Sequence, residues 1–164
     1  MAKQTNNALE EKVVQLLSEK NLTITTAESC TGGAVAAQLI NVAGISALYQ
    51  EGFITYSNEA KHKRLGVRLR TLNEFGAVSS ETAFEMAKGV CQVAGADVSI
   101  VTTGIAGPDG GTAEKPVGLV YIGCCVNRRT KVIEKHFEGN RQDIREQTGE
   151  AALKLLIECL QLEG

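Results

Sequence analysis

Between residues 23 and 40 the chain reads TITTAESCTGGAVAAQLI. Thr23 to Ala27 is a β-branched run, which predicts a strand. Ala34 to Ile40 predicts a helix. The segment between them, Glu28-Ser29-Cys30-Thr31-Gly32-Gly33, has to turn the chain tightly, and its paired glycines suit that task. A strand that enters a helix through a short turn is a unit of α/β layer architecture.

Toward the N-terminus, Leu9, Val13, Leu16 and Leu17 have the one-face spacing of an amphipathic helix over Ala8 to Leu17. Toward the C-terminus, Gln50 to Tyr56 predicts a strand and Asn58 to Leu65 a short helix. Ser79 is placed to cap a helix from about Ser80 to Val93, with Ala83, Met86, Ala87 and Val90 on one face. Asp97 to Thr103 is almost wholly apolar at its centre, the pattern of a strand buried on both faces. After a glycine-rich loop from Gly104 to Lys115, Pro116 to Val126 and Thr130 to Phe137 predict two more strands. Val126-Asn127-Arg128-Arg129 reads as the hairpin turn between them. Asp143 to Leu160 closes the chain as a long helix. No repeat, low-complexity tract or linker interrupts this order, so residues 1–164 read as a single domain. The interleaving predicts a mixed sheet with helices on both faces, the late hairpin supplying antiparallel edge strands.

Composition narrows the function. The 164 residues carry 17 basic and 19 acidic side chains, a formal net charge of -2. That balance supplies no clustered basic face for nucleic acid. It leaves room for a small anion, which loop amides and one or two arginines can hold. Residues Met1 to Asn7 are polar and lack the apolar core of a signal peptide, and no apolar run approaches the length of a membrane span. A cytoplasmic protein is expected. The five cysteines, Cys30, Cys91, Cys124, Cys125 and Cys159, are odd in number and form no CxxC. They predict small buried hydrophobes rather than a disulfide framework or a zinc site.

Four segments could carry chemistry. Ser29 sits just past a strand and just before a helix, where its hydroxyl is exposed and helix-terminal N–H groups can face an oxyanion. As bare local sequence, Ser29 and Thr31 are equally readable as helix caps. In Tyr56-Ser57-Asn58-Glu59-Ala60-Lys61, a lysine with a lowered pKa could take the serine proton and a tyrosine could hold it. The neighbouring His62, Lys63 and Arg64 would help lower that pKa, although a solvated helix start is the plainer reading. The loop Thr102 to Gly111 follows a buried strand, where open α/β sheets place ligands, and its glycines can cradle an anion. It lacks the GxGxxG and phosphate-loop lysine motifs. Arg141 and Arg145 lie four apart at a helix start and could grip a phosphate together, or simply form a solvated face. The two histidines, His62 and His136, have no metal-site spacing.

Together these segments resemble the CinA C-terminal domain family. The resemblance rests on TTAESCTGG at 25–33, EGFITYSNEAK at 51–61, GAVSSETAFEMA at 76–87, TGIAGPDGGTAEKPVGLVYIG at 103–123 and GNRQDIREQT at 139–148. It covers residues from about 8 to 160. It implies a three-layer α/β/α sandwich, usually a homodimer, and for stand-alone members hydrolysis of nicotinamide mononucleotide to nicotinic acid mononucleotide and ammonia. By that resemblance Ser29 is the nucleophile, and Tyr56 and Lys61 activate it. Thr31, Gly32, Gly33, Thr103, Gly104 and Gly107 fall to substrate binding, and Arg141 or Arg145 to the phosphate. No cofactor and no metal are implied. Nor is the metal-dependent pyrophosphatase activity of the partner domain that longer members carry.

The chemistry fits, since a serine–lysine pair supplies nucleophile and base without histidine. Three other readings stand beside it. One is a nucleotide-binding regulatory module without catalysis. Another moves the nucleophile to Cys30, whose thiolate a helix N-terminus would favour. The third is an amidase for a different small amide.

Overall fold

A computed structural model describes residues 7–162. The polar segment Met1 to Asn6, on which the reading of the N-terminus mostly rests, lies outside the described residues. The elements run α1 (Asn7–Lys20), β1 (Ile24–Glu28), α2 (Ala34–Leu39), β2 (Tyr49–Ile54), α3 (Asn58–Leu65), α4 (Leu69–Phe75), α5 (Ser80–Ala94), β3 (Val98–Gly104), β4 (Leu119–Val126), β5 (Arg129–His136) and α6 (Arg141–Leu162). A single 3-10 turn, Ile45–Ala47, precedes β2.

The strands form one mixed sheet in the order β2-β1-β3-β4-β5. β1 is parallel to β2 and to β3, whereas β4 is antiparallel to β3 and β5. α1, α2 and α6 cover one face, packing Leu17, Val35, Leu39 and Leu156 on Ile24, Ile100 and Ile122. α3, α4 and α5 cover the other, packing Leu65, Leu72, Met86 and Val90 on Ala27, Val101 and Cys125. Alternation along the strands feeds both layers, because neighbouring side chains point to opposite faces. Ile100 and Cys124 therefore enter one core and Val101 and Cys125 the other. The fold is the expected three-layer α/β/α sandwich. None of the five cysteines forms a disulfide, and all but the half-buried Cys91 are buried.

Several boundaries have local causes. Ser79 caps α5 by accepting from the Thr82 amide, and Ser57 caps α3 by accepting from Ala60. The hairpin turn places Asn127 at φ 49° and Arg128 at φ 70°, the left-handed pair that matches strand twist. α6 begins two residues before the expected Asp143, because Asn140 and Asp143 cap each other reciprocally. Three expectations are corrected. Only β5 of the hairpin lies on an edge, since β4 is paired on both sides, with β3 and with β5. β4 starts at Leu119, not Pro116, which has no N–H to give a ladder. α4 was not expected; its short polar sequence shows no period, and Arg68 and Thr71 tie it to Glu85 on α5.

The topology sets the position of the site. From β1 the chain crosses by α2 on one face to reach β2, then by α3–α5 on the other face to reach β3. The connections diverge beside β1, so a crevice opens outside the carboxyl ends of β1 and β3. No helix among the described residues is long and apolar enough to cross a membrane.

Candidate active site

Ser29 is the first residue past β1, and its amide donates to the Thr102 carbonyl of β3 at 3.0 Å. That bond fixes the turn against the neighbouring strand. Behind it, the buried Glu28 carboxylate acts as the cap of α2. It accepts from the amides of Val35 at 2.8 Å and Ala36 at 3.0 Å, and from the Thr31 hydroxyl at 2.6 Å. A carboxylate is favoured there by the helix dipole. The first-turn amides of α2 are thus occupied by the chain itself, and the expectation that they face a substrate oxyanion is corrected.

α3 brings Lys61 across to this turn. Its side chain is 1% exposed, and Nζ donates to Ser29 Oγ at 3.1 Å, to the Thr55 carbonyl at 2.8 Å and to the Tyr56 carbonyl at 3.5 Å. Burial lowers its pKa from the usual 10.5 to about 8. The neighbouring cations are not the cause. His62 Nδ1 is bonded to the Val67 carbonyl, Lys63 is paired with Glu59, and Arg64 is exposed. Tyr56 is also placed differently from expectation. It offers Lys61 its main-chain oxygen, while its phenol, on a side chain 61% exposed, accepts from Arg141 Nη2 at 3.0 Å.

Cys30, next to Ser29, borders the crevice as well, but it is buried in the α1/α2/α6 core, and that burial raises its pKa to about 11. It remains a protonated thiol. Thr31 is fully buried and shares a hydrogen bond with Thr102, so it holds the frame and does not reach the crevice. Gly32 and Gly33 shape the turn at φ 58° and 105°, and neither lines the crevice. Thr103, Gly104 and Gly107 do line it, as the loop reading expected. The Thr103 hydroxyl donates to the Ala77 carbonyl at 2.8 Å. A Cβ on Gly104 would stand 2.9 Å from the Leu119 carbonyl, so bare backbone is required there.

The two arginines part company. Arg141 donates to the Gly107 carbonyl at 2.7 Å and to the Tyr56 phenol, and it lines the crevice. Arg145 donates from Nε to the Cys30 carbonyl at 3.0 Å and from Nη2 to the Thr31 carbonyl at 2.8 Å, and it does not line it. Arg145 therefore clamps the back of the Ser29 turn.

The resulting cavity has a volume of about 250 Å³ and holds Ser29, Lys61 and Arg141 together with Asp109. A larger cavity of about 690 Å³ on the α5 side, lined by Arg68, Phe84 and Glu85, contains no such nucleophile–base pair. No group of His, Cys, Asp or Glu side chains suited to holding a metal ion occurs among the described residues. Sequence reading missed Glu28, the Thr55 carbonyl and Asp109. An acidic residue just before a helix start was a legible signal for Glu28. Asp109, between Pro108 and Gly110, reads as an ordinary turn residue. A carbonyl's role has no sequence signal at all.

Comparison with known proteins bears on the family and the fold. The chain matches the family described as CinA C-terminal domain over residues 6–160. It is 56% identical over 153 residues to a CinA-like protein of Kosmotoga olearia, covering 93% of this chain and 37% of that one. It spans little more than a third of the length of the curated relatives it matches. The competence/damage inducible protein CihA of Agrobacterium tumefaciens has a similar solved structure, with TM-score 0.90, 42% identity and 94% of each chain covered. A CinA superfamily protein of Klebsiella pneumoniae superposes with TM-score 0.92 at 36% identity, covering 96% of this chain and 99% of that one.

Proposed function

The chain belongs to the CinA C-terminal domain family, and from that premise we propose that it is an amidohydrolase converting nicotinamide mononucleotide to nicotinic acid mononucleotide and ammonia. The observation that carries the reading is the buried contact of Lys61 Nζ with Ser29 Oγ at 3.1 Å. As an ammonium, Lys61 has three N–H groups and three acceptors. As a neutral amine it keeps two N–H groups, which the Thr55 and Tyr56 carbonyls can hold, and its lone pair is left for the serine proton. The two carbonyls so orient the base.

Ser29 Oγ attacks the carboxamide carbon while its proton passes to Lys61. The amide oxygen becomes an oxyanion in the tetrahedral intermediate. Lys61 returns the proton to the leaving nitrogen, ammonia departs, and an ester on Ser29 remains. Water, deprotonated by the same amine, hydrolyses that ester and regenerates the hydroxyl. Arg141, bound only to neutral acceptors, supplies positive charge for the substrate phosphate. A homodimer in the cytoplasm, acting without cofactor, is part of the same proposal.

The test is ammonia release from nicotinamide mononucleotide, without added metal, beside nicotinamide, its riboside and the dinucleotide. Turnover fastest on the mononucleotide is expected. Tight binding without ammonia release would instead favour the regulatory module, and turnover only of another amide would reassign the substrate.

A further inference from the structure

We propose that Asp109 selects carboxamides borne on a positively charged heteroaromatic ring, with Arg141 meeting the negative end of the same molecule. The inference rests on the amidase reading and adds a specificity residue to it.

The cavity contains three formally charged side chains close to Ser29: Lys61, Arg141 and Asp109. Lys61 is committed to the serine and to two carbonyls. Arg141 is bonded to a carbonyl and a phenol, so its charge is uncompensated. Asp109 is exposed, and among the described residues its carboxylate accepts no hydrogen bond and pairs with no cation. An unpaired carboxylate is out of place in a pocket meant only for an anion, because it repels the phosphate that Arg141 attracts. It has a purpose if the ligand is cationic near Asp109 and anionic near Arg141.

A nicotinamide ring quaternised at nitrogen has this form. Its positive charge cannot be lost as a proton, and the ring nitrogen has no lone pair or N–H for hydrogen bonding. Only a negative group or an aromatic face can recognise it. Asp109 provides the first. The largely exposed ring of Tyr56, which lines the same cavity, provides a surface of the second kind. The loop presenting Asp109 is positioned by Arg141, which holds the Gly107 carbonyl two residues away. One guanidinium thus fixes the carboxylate's loop and supplies the opposite charge.

The test compares oxidised nicotinamide mononucleotide with its 1,4-dihydro form, which has the same amide, ribose and phosphate but a neutral ring. In the wild type, kcat/KM should favour the oxidised form. In Asp109→Asn that ratio should fall by about two- to fivefold, the effect of one partly exposed charge pair. Asp109→Glu should recover part of it. An unchanged ratio, or equal loss on both substrates, would overturn the proposal. So would a gain on the oxidised form, which would mean that Asp109 only repels phosphate. If the wild type releases no ammonia from either, the amidase reading fails separately. Calorimetry with 1-methylnicotinamide cation and neutral nicotinamide then judges Asp109 alone: preference for the cation, lost in Asp109→Asn, sustains it, and no preference or no binding rejects it.

Discussion

Ser29 and Cys30 stand side by side after β1, and Arg141 and Arg145 stand one turn apart on α6. Lys61 and Lys63 are two residues apart on α3. In the lysine and arginine pairs one residue lines the crevice and the other belongs to the frame or the surface, and in the first pair both border the crevice but only Ser29 meets Lys61. Ser29, Lys61 and Arg141 meet in one cavity. Cys30 is core, Arg145 clamps the turn from behind, and Lys63 is 66% exposed in an ion pair with Glu59. Two lysines, or two arginines, of one helix are given opposite properties by the layer they face. Burial without a counter-charge lowers the Lys61 pKa, whereas an exposed ion pair such as that of Lys63 contributes little.

The largest effect should come from Ser29. Ser29→Ala is expected to lower kcat by about three orders of magnitude or more with the melting temperature nearly unchanged. If Cys30→Ala loses activity instead and Ser29→Ala keeps it, the assignment within that pair is reversed.

Lys61→Met comes next, with a loss of about a hundredfold or more. The active base is the neutral amine, so the wild-type rate should climb with pH through a midpoint near 8, and this limb should vanish in the variant. Stability should climb with pH as well. The folded pKa lies below the ordinary 10.5, so the folded state binds fewer protons than the unfolded chain between about 8 and 10.5. Wild-type stability therefore rises with pH across that window. Below it the buried ammonium is a standing cost; Lys61→Met removes that cost but also strips the Thr55 and Tyr56 carbonyls of their donor, so the clear expectation is that the rise of stability with pH disappears in the variant. Lys63→Met should alter neither property. A lysine variant that is inactive but whose stability still rises with pH across that window would break the burial argument.

The arginines should separate by type of effect. Arg141→Ala should raise KM for the mononucleotide by about tenfold, with little change for the riboside lacking phosphate. Arg145→Ala strips two carbonyls of their donor and should lower stability by about 1–3 kcal/mol, with no discrimination between the two substrates. An Arg145 variant that spares stability and selectively weakens the mononucleotide would exchange their roles. The smallest change belongs to Cys30→Ala, which should keep most activity and lose about 1 kcal/mol of stability for a small core deletion.

Much of this arrangement was legible in the chain. β-branched runs, helical spacing, the Ser79 cap and the Asn127-Arg128 turn are local preferences, satisfied by neighbours within a few residues. They placed nearly every element to within a few positions, and the motifs pointed to Ser29 and Lys61. Thr31, Gly32 and Gly33 lie outside the cavity that holds Ser29, and the Tyr56 hydroxyl meets Arg141 and not the lysine, and one reason kept both facts out of the sequence. Each required knowing which way a side chain points after the strands have paired. The same holds for Glu28, whose carboxylate fills the helix end that looked open.

What the sequence determined by itself is therefore the set of elements, the α/β class, and the residue types available at each strand's carboxyl end. Local dihedral preferences and hydrophobic spacing suffice for these, because they act over one turn or a few residues. Only the tertiary structure decided which lysine and which arginine line the crevice, and that Ser29 and not Cys30 meets Lys61. Ser29 and Lys61 are 32 residues apart and Cys30 and Arg145 are 115 apart, and they meet only because α3 and α6 pack on opposite faces of the sheet. Burial is a property of that packing, and it sets both the low pKa of Lys61 and the inert thiol of Cys30.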